Sequence, residues 1–406
     1  MERTTCCVVG GGPAGMMLGL LLARAGIRVT VLEKHRDFLR DFRGDTVHPS
    51  TLRLLDELGL GERFAQLPFP KLEEMRMEIA GTTVVAADFS RIPGRHKYIA
   101  MVPQWDFLDL LASAAAAEPS FTLRMCTEVT GLRRDGGRVT GVRYTAEDGT
   151  AGEIAADLTV GCDGRRSVVR GEAGLVPEEF DVPMDVWQVR VDAPRGGLKD
   201  GRVFARFGDG QAAVTMDRGT YFQTSYLIGK GRDAELRSHG IQWFRDRLGA
   251  FFGWDAAVTA GIGSWDDVKL LDVSMGRLPR WYGNGVLCIG DAAHTMSPVG
   301  GVGVNLAIQD AVAAARILAR PLREGTVCGH DLERVQKRRT LPTALVQQSQ
   351  QGEHQLIRSA LDGTLTPGTM PLPLRILRRA RPLRAATAYI GGIGIRPERA
   401  PAFARA

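Results

Sequence analysis

A short β-rich run, Thr5 to Val9, leads into Gly10-Gly11-Gly12-Pro13-Ala14-Gly15, and this turn constrains the chain more than any other feature. Met16 to Ala25 then reads as a helix stopped by Gly26, and Ile27 to Leu32 as a second strand, which makes one βαβ unit. Gly10-x-Gly12-x-x-Gly15 sits between strand and helix, where a dinucleotide fingerprint belongs. Gly10 allows the tight turn, Gly12 lets the backbone approach a pyrophosphate, and Gly15 lets helix and strand pack closely. The pyrophosphate would sit at the positive end of the helix. Glu33 closes the second strand at the spacing where a carboxylate accepts both ribose hydroxyls of adenosine. FAD or NAD therefore fits better than NADP. Ala14 in the loop and Lys34 after the acid join the expected cofactor contacts. The plainer alternative is a glycine-rich loop before a helix.

At 406 residues the chain is too long for one simple core, so two interleaved domains are expected. Positive charges exceed negative by 6, without a long like-charge block or aromatic-basic interleaving, so no nucleic-acid partner is indicated. The six cysteines form no C-x-x-C pair, which points away from zinc and dithiol chemistry and toward a reduced, cytoplasmic setting. The longest apolar stretch, Met16 to Ala23, is too short for a membrane span. The pattern predicts an α/β fold. A Rossmann-like nucleotide domain (1–70, 98–180 and 265–350) is interleaved with a β-sheet substrate domain (71–97 and 181–264), and a helical tail occupies 351–406. Pro367, Pro371, Pro373 and Pro382 interrupt that arginine-rich tail, which favours packing over the two domains against one long membrane-surface helix.

Two later segments extend the fingerprint. Leu158 to Arg170 reads LTVGCDGRRSVVR, and Gly285 to Asp310 reads GVLCIGDAAHTMSPVGGVGVNLAIQD. Both resemble the downstream signatures of the p-hydroxybenzoate hydroxylase family of single-component flavin monooxygenases, in order and spacing, over about residues 4 to 320. The resemblance implies tightly bound, non-covalent FAD, NAD(P)H as a transient electron donor and O₂ as co-substrate. It also implies hydroxylation of an aromatic or polycyclic small molecule through a flavin C4a-hydroperoxide. Residue by residue, Asp291 is similar to the aspartate on the ribityl chain, and Pro298 to the proline beside the flavin ring. Gly300, Gly301 and Gly303 precede a helix beginning near Val304, whose dipole would stabilise reduced flavin at N1–C2=O, and Asn305 would bond the ring edge. Asp163 and Gly164 match a segment used for the FAD pyrophosphate and NAD(P)H. A strand-to-helix turn capped by Ser167 is the plainer reading there. Arg43 and Gln104 resemble two further FAD contacts. His294 reads as structural, bonding backbone around its turn, and His48 as either a packed histidine or a group facing the flavin.

The substrate is expected between flavin and a sheet built from Leu72–Ala87 and Asp181–Ile228. Alternation puts Gln188 and Arg190 on one face, with Trp187, Val189 and Val191 on the other. Arg190, Arg206, Tyr221, Gln223 and Tyr226 are the polar pocket candidates, and Pro298, His48 and Arg190 the candidates for catalysis. The chain lacks the W-x-W-x-I-P segment of flavin halogenases, and it lacks the second fingerprint of disulfide reductases. Open alternatives on the same fold are a Baeyer–Villiger-type oxygenase and an FAD-dependent isoprenoid double-bond reductase. A non-catalytic binder of a prenylated protein is less compatible with Glu33, Asp163 and Asp291 together.

Overall fold

Strand Glu2–Val9 buries its last four residues and pairs in parallel on both sides, Cys6 standing opposite Leu158 and opposite Val29. A parallel strand covered on both faces has to be apolar throughout, which is why Cys6, Cys7, Val8 and Val9 run without alternation. The computed structural model describes residues 2–39, 46–192, 203–218, 220–366 and 370–405. The nucleotide sheet runs in the order Tyr282–Gly283, Val286–Cys288, Ala151–Gly161, Glu2–Val9, Val29–Leu32, Phe121–Arg124. An antiparallel hairpin, Thr127–Asp135 and Arg138–Ala146, joins at Ala151–Gly161. Helix Pro13–Arg24 is buried at every residue from Ala14 to Ala23, as a helix apolar on all sides must be.

Helix Gly303–Glu324 lies between Pro13–Arg24 and the long helix Gly329–Leu361. With the turn before it, the segment Val299–Glu324 is apolar and long enough to cross a membrane by composition, but it is mostly buried inside the core. It escapes a search for unbroken apolar runs because Asn305, Gln309 and Asp310 interrupt it, each of them buried.

The second sheet has seven strands in the order Lys269–Leu271, Met184–Asp192, Tyr221–Gly229, Gln211–Asp217, Val203–Gly208, Glu74–Ile79, Thr82–Asp88. Its pairings are antiparallel except Val203–Gly208 with Glu74–Ile79. The two faces bury different partners. Trp187, Val189, Phe222 and Tyr226 pack against Phe244, Leu248 and Phe251 of helix Ile241–Phe252. Val186, Leu227, Phe207 and Ile79 pack against Ile357 and Ala360 of the long helix, with Val299 at the margin of the cluster. The expected boundary at 350 falls inside that 33-residue helix, which runs from the nucleotide domain to the underside of the seven-stranded sheet.

Helices Leu372–Arg379 and Arg381–Gly392 then cover strand Thr82–Asp88. The chain returns to the nucleotide domain, where buried Glu398 accepts from Arg338 at 2.6 Å and the Ala404 carbonyl accepts from Arg24 at 2.9 Å.

Candidate active site

The glycine turn is shaped by close approach. Gly10 has φ +101°, and a Cβ there would meet the Cys162 carbonyl oxygen at 2.5 Å; at Gly15 it would lie 1.9 Å from the Gly10 carbonyl oxygen. Gly12 differs, because a Cβ added there meets nothing within 4 Å among the described residues. Gly12 caps helix Pro13–Arg24, whose start has no side-chain cap and no acidic residue in its first turn. This is an open, electropositive cradle of the kind that takes a diphosphate. Buried Glu33 stands at the rim, one oxygen accepting from the Gly11 N–H at 2.8 Å and the other from the His35 N–H at 3.1 Å. The His35 ring also stands 4.0 Å from Glu33 Oε1. Lys34 is exposed beside it, and Gln104 begins helix Gln104–Ala116, half-buried. Arg43 lies outside the described residues.

Asp163 serves its own chain. It accepts from Ser167 Oγ at 2.5 Å and from the Val169 N–H at 3.1 Å, while Ser167 Oγ caps the Arg170 N–H at 2.9 Å. Burial raises the Asp163 carboxyl above the usual carboxylate range, against the pull of those bonds. The turn capped by Ser167 is thus present. Arg170 ties it to the next motif by donating to the Ala292 carbonyl at 3.1 Å. Half-buried Asp291 lies in the Gly290–Ala292 turn. His294 reaches a side chain rather than the backbone expected: its Nε2 stands 2.5 Å from Asp310 Oδ2, and Arg339 Nε donates to Asp310 Oδ1 at 2.8 Å. All three are buried; burial pushes the Asp310 carboxyl up, and His294 and Arg339 outweigh it, leaving it below its ordinary value. The Gly290 N–H also donates to Asp310, at 3.1 Å, so this network fixes the turn that carries Asp291.

The loop expected beside the flavin, Ser297 to Gly301, has Gly300 and Gly301 at φ +77° and +62°. Pro298 and Gly300 are exposed, whereas Ser297 is buried. Gly301 O accepts from Thr46 Oγ1 at 2.7 Å. Gly303 and Val304 open the next helix, which again has no side-chain cap and no acid in its first turn. The Asn305 side chain is committed to its own protein: Oδ1 accepts from the His48 N–H and Thr51 Oγ1, and Nδ2 donates to the Thr46 carbonyl, at 3.0, 2.8 and 3.1 Å. It locks the segment after Arg43 to the helix start, leaving the carboxamide oxygen spent on His48 and Thr51.

His48 is 2% exposed and caps helix Pro49–Glu57. Its Nδ1 lies 2.7 Å from the Gly391 carbonyl, so that nitrogen carries the proton, and Nε2 is buried. Burial pushes the imidazole down to about 4, so His48 is neutral at pH 7.

The sequence candidates on the seven-stranded sheet divide by face. Tyr226 and Arg206 point to the Ile241–Phe252 side. Tyr226 donates to Gln211 and accepts from Arg247 Nε at 2.8 Å, and Arg206 pairs with Glu78 at 3.0 Å and lies over the Phe251 ring. Both lie on the face covered by that helix, because a strand turns alternate residues to opposite faces. Gln223 and Arg190 are cross-strand partners on the face that carries Val186 and Leu227. Gln223 accepts from Arg218 at 3.0 Å, and exposed Arg190 lies 5.1 Å from the Tyr221 ring centroid. Between this polar end and the packed end stand Gln188 and Ser225, bonded at 2.9 Å, beside partly exposed Val214, Met216, Ala205 and Met77. Gln188, Ser225 and Arg218 were not among the sequence candidates. Neither were Gln347, Gln350 and His354 of the long helix. Among the described residues, no cluster of His, Cys, Asp and Glu could hold a metal ion.

The open cradle at Gly12, the carboxylate at Glu33 and the exposed loop at Pro298 suit FAD. The FAD binding domain family model matches residues 3–349. The chain is 37% identical over 340 residues to 6-methylpretetramide 4-monooxygenase of Streptomyces rimosus, covering 83% of this chain and 80% of that protein. It is 33% identical over 329 residues to 12-dehydrotetracycline 5-monooxygenase/anhydrotetracycline 6-monooxygenase of Streptomyces rimosus subsp. rimosus, covering 76% of this chain but only 61% of that longer relative. Among solved structures, OxyS anhydrotetracycline hydroxylase from Streptomyces rimosus superimposes with a TM-score of 0.77 at 27% identity, over 97% of this chain and 77% of that one. The chain belongs to the FAD binding domain family and is an FAD-dependent oxidoreductase of the monooxygenase kind.

Proposed function

We propose that this enzyme takes electrons from NAD(P)H and hydroxylates an aromatic ring of a fused polycyclic phenol seated on the inner face of the seven-stranded sheet. The observation that carries the reading is the partly exposed apolar strip Met77, Ala205, Val214 and Met216, flanked by polar Gln188–Ser225 and by Arg218, Gln223 and Arg190. A flat polycycle would gain about 25 cal/mol for each Å² of apolar surface removed from water on such a strip. The polar end would orient its oxygens. The relatives that carry 6-methylpretetramide and anhydrotetracycline in their names support this substrate class.

Bound FAD would supply the redox chemistry, accepting hydride from the nicotinamide and activating O₂. The chain's own groups would do the rest. The Gly12 cradle and Glu33 would hold the adenosine diphosphate half. The uncapped start of helix Gly303–Glu324 would stabilise negative charge on the ring. Arg218 and Arg190, held by Gln223 and Tyr221, would favour a phenolate, the more nucleophilic form of the substrate. The apolar strip would exclude water from the reacting edge.

The test is NAD(P)H oxidation by FAD-loaded protein, with simultaneous O₂ and H₂O₂ readings, across single-ring and fused polycyclic phenols. Oxidation stimulated by polycycles, with O₂ consumed and little H₂O₂ released, is the expected result. Stimulation by single-ring phenols alone would overturn the substrate class. NAD(P)H oxidation that consumes no O₂ would point to a reductase.

A further inference from the structure

One face of the long helix Gly329–Leu361 carries a row of buried polar side chains, Arg339, Thr343, Gln347, Gln350 and His354, the last three at 2%, 2% and 4% exposure. Their spacing of three or four residues aligns them. Gln347 donates to the Gly276 and Thr295 carbonyls at 2.9 and 3.2 Å and accepts from Arg277 at 2.9 Å. Gln350, one turn on, spends its whole carboxamide on the loop around Pro298. Its Oε1 accepts from the Ser297 N–H at 3.2 Å, and its Nε2 donates to the Ser297 and Val299 carbonyls at 2.9 and 2.8 Å. His354 Nε2 stands 2.9 Å from Ser297 Oγ.

A helix that only needed to pack here would carry leucine, since a buried amide is tolerated only where its donors and acceptor are matched. The match falls on the peptides that flank Pro298, which has no N–H of its own. Peptide planarity then decides what faces away from the helix. With the Val299 carbonyl drawn to Gln350, the Gly300 N–H in the same trans plane points to the opposite side. With Gly301 O held by Thr46 Oγ1, the Val302 N–H likewise points away from Thr46. The Ser297, Val299 and Gly301 N–H groups bond within the protein, to Gln350 Oε1, Ser297 Oγ and the Pro298 carbonyl, whereas the Gly300 and Val302 N–H groups are turned away from these anchors, as donors to an electron-rich ring edge must be.

We propose that Gln350, seconded by His354, is a positioning residue that sets the orientation of the Pro298–Gly301 peptides toward bound flavin. This rests on the FAD reading above. Gln350 touches neither substrate nor cofactor and acts only through the loop.

The experiment compares Gln350→Leu with Gln347→Leu, an equally buried neighbour that holds the preceding strand instead of the loop. Apoprotein is titrated with FAD by fluorescence quenching, and the visible spectrum of the bound flavin is recorded. Gln350→Leu should bind FAD at least about fivefold more weakly, and its bound flavin spectrum should move toward that of free flavin. Gln347→Leu, at a similar loss of Tm, should keep the parent spectrum. Parent-like affinity and spectrum in Gln350→Leu, or the same change in both variants, would overturn the proposal. Should Gln350→Leu fail to fold, Gln350→Asn shortens the amide by one methylene and must show the same spectral change. A parent chain that takes up no FAD would fail before any variant is made, which separates failure of the FAD reading from failure of this one.

Discussion

Substituting Gly12 by alanine should remove FAD while leaving the fold standing, and substituting Gly15 should remove both. Gly12 has φ −73° and ψ −175°, a conformation any residue adopts, and its Cβ direction meets no described residue within 4 Å. In the apoprotein the exchange alters only a helix N-cap, at a cost of about 1 kcal/mol or less, or at most about 3 °C in Tm for a chain of this size. The methyl group would stand where a diphosphate has to approach the helix start. Displacing the diphosphate from one or two charge-assisted N–H bonds forfeits about 2–3 kcal/mol, which is roughly 30- to 150-fold in Kd. At Gly15 the Cβ would lie 1.9 Å from the Gly10 carbonyl oxygen, so the turn itself must move, at about 3 kcal/mol or more. Calorimetry of both apoproteins and FAD titration of each give the answer. Gly12→Ala binding FAD within about threefold of the parent, or destabilised as much as Gly15→Ala, would refute the assignment of Gly12 to the diphosphate.

Other expectations follow from the same geometry. Arg339→Met strands the buried Asp310 carboxylate beside His294 and should cost about 3–5 kcal/mol in urea denaturation; a loss below about 1 kcal/mol would show that the network is not needed for stability. His48 has a folded pKa of about 4, below the roughly 6.5 of an unfolded histidine, so the unfolded chain binds the extra proton first. Its contribution is complete above about pH 6.5 and is lost as pH falls toward 4, by about 3 kcal/mol in all. His48→Gln should flatten that limb of the stability profile, and an unchanged slope would contradict it. On the sheet, Gln223→Leu and Arg190→Ala should raise KM for a phenolic substrate without lowering bound FAD. Tyr226→Phe should cost about 1 kcal/mol of stability and leave KM unchanged. The reverse pattern would mean that the faces of the sheet are wrongly assigned.

What could be read from the sequence was local. The turn at Gly10 to Gly15 and the acid at Glu33 lie within one βαβ unit, and sterics there leave few residue choices. The period-two alternation along Val186 to Val191 sorted the side chains into two faces correctly, but a period cannot tell which face meets the cofactor domain. Tyr226 and Arg206 were misplaced for that reason: Tyr226 is bonded to Arg247 and Gln211 under the helix Ile241–Phe252, a contact set only by the tertiary fold. Gln350 was invisible for a related reason. Its partners are about fifty residues earlier in the chain, and a run such as Gln347-Gln348-Ser349-Gln350-Gln351 has the composition of a solvated helix face. Asn305 was read as a ring contact because its position in the motif is local, whereas its partners Thr46, His48 and Thr51 are more than 250 residues away.

The most direct test of the central claim is the mass of the product formed from a fused polycyclic phenol by FAD-loaded enzyme and NAD(P)H under ¹⁸O₂. A product heavier by one ¹⁸O atom, carried as a ring hydroxyl, is the result expected of an aromatic hydroxylase. An unlabelled product, or ¹⁸O recovered only as hydrogen peroxide, would contradict it.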